Sequence, residues 1–122
     1  MPSLTRRAAL ALLIVAPLAT HAQSKRQDIT RVPELNGRYS VIGLNADGST
    51  YSGNATVSQN GDAVEISWTI GTTVFRGIGT LDGRVLTVYF GAEDPMVYVI
   101  MPGGALHGTW ADGTALDRLT PM

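Results

Sequence analysis

Reversals of the chain recur along this sequence with a regularity that leaves little choice of fold. Asp47-Gly48, Asn60-Gly61, Asp82-Gly83, Gly103-Gly104 and Asp112-Gly113 are residue pairs that turn a backbone tightly. Ile70-Gly71-Thr72 and Ala92-Glu93-Asp94-Pro95 add two further breaks, so successive turns fall about 9 to 13 residues apart. That spacing is too short for helices with connections. It matches a meander of short antiparallel strands.

Between the turns, apolar and polar residues alternate. Val64-Glu65-Ile66-Ser67-Trp68-Thr69-Ile70 has one dry face and one wet face, the mark of a half-buried strand. Tyr51, Gly53, Ala55 and Val57 form an inward row, with Thr50, Ser52, Asn54 and Thr56 outward. Leu86, Val88 and Phe90 share a face, as do Leu106, Gly108 and Trp110, with His107 and Thr109 opposite them. The run Met96–Met101 is apolar throughout, so its facing stays open. The pattern predicts strands over 38–45, 49–58, 63–70, 73–80, 84–91, 96–101, 105–111 and 115–120, and no amphipathic helix after residue 22. Glycine also falls inside the expected strands, at positions 43, 53, 77, 79 and 108, where it permits the bends that close a barrel. The expected fold is all-β: a small antiparallel up-and-down barrel of about eight strands, with a two-sheet sandwich as the alternative.

The first 22 residues read differently. Arg6 and Arg7 precede an apolar stretch from Ala8 to Ala19, and Thr20 and Ala22 place small residues at the −3 and −1 positions of a peptidase site. This is the pattern of a secretory signal peptide cut after Ala22. The stretch is about a dozen residues, whereas a spanning helix needs roughly 20. Thr5-Arg6-Arg7 partly resembles a twin-arginine signal but lacks the aromatic residue usual after the pair. Residues 23–34 are polar and aperiodic and read as a flexible arm, which leaves 35–122 as a single domain in a periplasmic or secreted protein.

Charge and composition exclude several functions. Beyond residue 22 the chain carries seven basic residues against ten acidic ones, a formal charge of −3. No clustered basic surface is available to neutralise nucleic-acid phosphates. Cysteine is absent, so there is no disulfide, thiol nucleophile or soft metal ligand. His107 is the one histidine after residue 22, on the expected outer face of its strand, with nothing to orient it as a base. Glu65 sits in an apolar strand but its alternation points it to water, away from any pocket for glycoside hydrolysis. Glu93-Asp94 offers only adjacent carboxylates to a hard cation that takes about six to eight oxygens. No catalytic residue, metal ligand or cofactor is expected, and the chain does not read as an enzyme.

Seven of the eight aromatic residues remain to be weighed: Tyr39, Tyr51, Trp68, Phe75, Phe90, Tyr98 and Trp110. They either line the mouth of a barrel and take a small apolar ligand or fill its interior. The shallowness of a barrel built from such short strands favours filling.

Two stretches carry a resemblance. Leu35-Asn36-Gly37-Arg38-Tyr39 and Leu106-His107-Gly108-Thr109-Trp110 resemble the Gly-x-aromatic openings of calycin-type barrels, such as avidins, lipocalins and small bacterial protease inhibitors. The wider pattern, through Tyr51-Ser52-Gly53, Trp68-Thr69-Ile70-Gly71, Gly77-Ile78-Gly79 and Leu119-Thr120-Pro121, looks like a family of small exported proteobacterial proteins of uncharacterised function. The resemblance implies a fold and carries over no functional residue. An avidin-like biotin site would need several tryptophans, and the chain has Trp68 and Trp110.

The expected function is therefore an exported, non-catalytic binding module. It would recognise a protein or small molecule through rim loops 45–49, 70–73 and 91–96. The alternative is an inhibitor of an exported hydrolase, with arm 23–34 inserted into the enzyme's cleft. N-terminal sequencing of the exported protein is expected to begin at Gln23; a start at Met1 would contradict the processing site.

Overall fold

The structure is a computed structural model that describes residues 32–122. The expected signal peptide, and the arm as far as Arg31, lie outside the described residues. Eight strands follow in order: β1 (Gly37–Leu44), β2 (Thr50–Asn60), β3 (Ala63–Ile70), β4 (Thr73–Asp82), β5 (Val85–Tyr89), β6 (Met96–Ile100), β7 (Leu106–Trp110) and β8 (Ala115–Pro121). Each pairs antiparallel with the next, and β8 returns to β1 through a ladder running from Tyr39 opposite Pro121 to Leu44 opposite Leu116. The result is a closed up-and-down barrel. Closure rules out the sandwich and removes the edge strands that would invite other chains to pair.

The strand ends differ from expectation by one or two residues, and turn chemistry explains where. Asn60 pairs with Ala63 and Asp82 with Val85, so these polar residues end their strands instead of entering the turn. Gly61, Gly71 and Gly83 are each the first of two loop residues, with φ of +64°, +62° and +60°. Positive φ at the first loop position alone is the type II′ pattern, which matches the right-handed twist of the flanking strands.

Pairing also settles the facing that the sequence left open. Met96, Tyr98 and Ile100 point inward, while Val97 and Val99 point out. Leu86, Val88, Tyr98, Leu106 and Leu119 are 0% exposed. Enclosing a side chain of this size contributes roughly 1.5–3 kcal/mol. The outer face carries Arg38, Glu65, Arg76 and Arg118 beside exposed Ile78, Tyr89, Val85 and Val99. An apolar interior under a mixed, charged exterior is the reverse of a membrane-spanning barrel.

The barrel has a closed end and an open end. At the closed end the incoming chain is tied down by two side chains, Gln59 of β2 and Tyr39 of β1. The Gln59 Nε2 donates to Pro33 O at 2.9 Å, and its Oε1 accepts from the Leu35 amide at 2.7 Å. Tyr39 donates from its hydroxyl to Leu35 O at 2.7 Å, and Leu35 itself is buried among the core residues. Leu35, just before β1, is thus part of the core. Leu35→Ala is expected to lower stability by about 2–5 kcal/mol. The measurement is the urea midpoint, with the slope of the transition unchanged; an unaltered midpoint would mean that Leu35 does not seal the barrel.

Candidate ligand-binding site

The β1–β2, β3–β4, β5–β6 and β7–β8 connections all lie at the other end, because every second turn of an up-and-down barrel shares an end. The three loops expected to carry recognition, 45–49, 70–73 and 91–96, are therefore neighbours on one rim. Residues 111–114 complete it, a loop the sequence reading did not single out. The 45–49 loop is held by Asp47, whose Oδ1 accepts from the Ser49 amide at 2.9 Å and from the Ser49 hydroxyl at 2.6 Å. Those bonds hold the exposed Asp47 carboxyl below the usual carboxylate range.

Inside this rim is an open cup of about 230 Å³. Its walls are Tyr51, Trp68, Ile70, Phe75, Phe90, Met96 and Trp110, and its polar lining is Asn45 at the rim and Asp117 at the floor. The seven aromatics thus divide. Tyr39, Trp68 and Tyr98 are buried, whereas Tyr51, Phe90 and Trp110 are half-buried and Phe75 is exposed at the lip. The interior is filled at one end and left open at the other. Tyr51–Trp110, Trp110–Phe90 and Phe90–Trp68 are each 6.3 Å apart between centroids, with interplanar angles of 65°, 87° and 67°. Edge-to-face contacts of this kind add roughly 0.5–1.5 kcal/mol per pair beyond the area they bury. They hold four rings as an arc around the cup.

Glycines make the arc possible. A Cβ at Gly43 would collide with the Tyr51 ring and one at Gly108 with the Tyr98 ring, and one at Gly77 would collide with Val88 and crowd the Trp68 ring. Each large ring therefore lies over a backbone that has nothing on its inner face. The two Gly-x-aromatic stretches also do different work. Tyr39 of the first closes the sealed end, and Trp110 of the second walls the cup.

The sequence reading missed the centre of the site. Asp117 of β8 is a carboxylate only 3% exposed inside an apolar barrel. Tyr51 donates to its Oδ1 at 2.7 Å and Tyr98 to its Oδ2 at 2.5 Å. Behind them, the Trp110 indole N–H donates to the Tyr51 hydroxyl at 3.1 Å, and the Trp68 N–H to the Tyr98 hydroxyl at 3.2 Å. Two Trp–Tyr relays from β7 and β2, and from β3 and β6, converge on one carboxylate. No buried polar side-chain atom among the described residues is left without a partner. Burial pushes the Asp117 carboxyl above its usual range, and the tyrosine hydrogen bonds only partly oppose that. Burial, with the nearby carboxylate, also holds the Tyr98 and Tyr51 hydroxyls above their usual range, so both stay protonated donors.

The other residues weighed from the sequence are scattered. His107 is exposed on the outer face of β7, paired across to Val99 and Arg118. Glu65 points outward from β3, as its alternation predicts. Glu93 and Asp94 are exposed in the β5–β6 loop. Among the described residues no group of three His, Cys, Asp or Glu comes together. No protein-family model matches the chain, and no curated protein sequence matches it.

Asp117→Asn tests the carboxylate directly. The Asn Oδ1 can still accept from Tyr98. Its Nδ2 can donate to the Tyr51 hydroxyl, which then turns its own proton to Leu116 O, already 3.2 Å away. An unfolded aspartate titrates near about 3.9. The folded carboxyl titrates higher, so above that pH the native state holds a proton that the unfolded chain has released. The stability contributed by this group is complete below about pH 3.9 and lost as pH rises through the folded pKa. Urea midpoints of the wild type are thus expected to fall relative to Asp117→Asn as pH rises from 4 towards 7. A gap that does not change with pH would mean that the carboxylate is not held out of water.

Proposed function

We propose that this protein is a non-catalytic binding module that takes a small, largely apolar ligand in the open end of its barrel. The observation that carries this reading is the aromatic cup, a concave, mainly hydrophobic site with one fixed polar group at its floor. Small-molecule sites generally have that composition. Its volume of about 230 Å³ lies below the roughly 300–1,000 Å³ of pockets that enclose drug-sized molecules, so the ligand is smaller than those. Four half-exposed or lip aromatics grouped at one opening are also unfavourable unless something covers them.

The likeness to calycin-type barrels supports the same reading, since barrels of this size hold side chains or one small ligand. The N-terminal pattern around Arg6, Arg7 and Ala22 supports a location outside the cytoplasm, in the periplasm or the medium, in keeping with the resemblance to small exported proteins. Inhibition of a hydrolase through the arm is the competing reading. The chain enters β1 at the closed end, opposite the cup. The two readings therefore separate cleanly.

Trp68 and Trp110 are the chain's two tryptophans, and both line the cup, so intrinsic fluorescence reports on it without a label. Small molecules released by denaturing protein purified from its native envelope are expected to restore the fluorescence change when added back to empty protein. Deleting residues 23–31 is expected to leave that change intact. Loss of the response with the deletion would favour the arm instead.

A further inference from the structure

We propose that the ligand's head is an alkylated ammonium, a small organic cation whose charge rests above Asp117 and whose alkyl groups contact Tyr51, Trp68, Phe90 and Trp110. This rests on the reading that the cup binds a small molecule, and it names the chemistry of that molecule.

The argument starts from charge. Asp117 is a buried acid whose hydrogen-bond partners, Tyr51 and Tyr98, are both neutral. Burial and neutral donors account for its titration, and no cationic side chain among the described residues contributes to it. A buried carboxylate is ordinarily paired with a cation. Asp117 is among the residues that line the cup, with each of its oxygens accepting from one neutral tyrosine. A ligand cation would supply the missing countercharge.

The walls select for the same sign. Aromatic faces carry negative electrostatic potential, and ammonium groups over tryptophan, tyrosine or phenylalanine are attracted to it. The four rings stand at 65–87° to their neighbours, so they surround a head group instead of stacking flat against it. An anion would meet both the carboxylate and the ring faces unfavourably.

The hydrogen-bond inventory then chooses among cations. A primary ammonium brings three N–H donors that need acceptors once water is excluded. The cup's polar lining is Asp117, whose oxygens already accept from two tyrosines, and Asn45 at the rim. The tyrosine hydroxyls spend their protons on Asp117 and accept from the indoles behind them. A quaternary or tertiary ammonium has few N–H groups or none to satisfy, and its methyl groups match the apolar wall.

The test is titration of the full exported chain with choline and with its uncharged carbon isostere, 3,3-dimethylbutan-1-ol, read by tryptophan fluorescence and calorimetry. Choline is expected to bind at least about tenfold more tightly than the isostere, because the isostere leaves the carboxylate without a countercharge. Asp117→Asn, which keeps its hydrogen bonds, is expected to erase that preference while the isostere still binds. Phe90→Leu, which leaves the Asp117 network untouched, is expected to weaken choline more than the isostere. Equal binding of both probes, unchanged by Asp117→Asn, would overturn the cation assignment and leave the cup as an apolar site. Failure of both probes to perturb Trp68 and Trp110 at millimolar concentration, with every variant folded by circular dichroism, would overturn the cup itself.

Discussion

Interior room is the scarce quantity in a barrel of eight strands, which encloses space for side chains or one small ligand and little else. This protein meets the limit by setting large rings over bare backbone. Tyr51 lies across Gly43, its cross-strand partner on β1, and Tyr98 across Gly108, its partner on β7. Trp68 lies over Gly77, two residues along from its partner Phe75. A glycine inside a strand weakens it, having no side chain to contribute. Here the ring from the next strand restores that covering and fixes the register in the same contact. Strand pairing, ring placement and the shape of the remaining space are thus one arrangement.

The consequence is chemical. Rings pinned in this way deliver their polar tips to a common point, where Tyr51 and Tyr98 reach Asp117 from β2 and β6. As a device for stability alone, the carboxylate is a poor choice. Removing an acid from water is unfavourable, and a well-filled apolar substitute commonly does as well or better. The network satisfies the hydrogen bonds of Asp117 and leaves its charge uncompensated. That imbalance sits at the floor of an open cup rather than in the sealed half, where Leu86, Leu106 and Leu119 fill the interior and the Tyr39 hydroxyl is paired with Leu35 O. Packing explains the sealed half. Packing does not explain the carboxylate, and the proposed ligand would.

Much of the fold was legible because turn glycines and alternation act locally. A two-faced strand needs no knowledge of its neighbours to show its period, so β3 could be read from Val64 to Ile70 without error. β6 could not, since Met96–Ile100 is apolar on both faces and only pairing with β5 and β7 orients Tyr98 inward. The site was harder for the same reason. Its members come from β2, β3, β6, β7 and β8, and nothing in their sequence spacing brings them together. One signal was present and unread. Ala115, Asp117 and Leu119 share a parity, so an acid stood on the inner row of an amphipathic strand. The interior glycines gave a second clue, read only as a tolerance for bending, when their larger effect is to make room for aromatic rings.

The two ends of the barrel are built differently. At the sealed end, Gln59 and Leu35 hold the entering chain, and Tyr39 adds its hydroxyl to the same group of bonds. At the open end the backbone itself is less settled. Ala111 and Asp112 in the β7–β8 loop have φ of +50° and +56°. For residues with a Cβ, that conformation is unfavourable by roughly 1–2 kcal/mol each. They follow directly on Trp110, whose indole feeds the hydrogen bond of Tyr51 to Asp117. Strain beside a site persists only where the surrounding structure over-determines it. Here the loop is closed on itself by Thr114, whose amide and hydroxyl both donate to Ala111 O, at 3.2 and 2.6 Å. The Trp110 ring before it is held by edge contacts to Tyr51 and Phe90 and by its bond to the Tyr51 hydroxyl. Any occupant that presses on Trp110 acts on the loop above it and on the carboxylate beneath it at once.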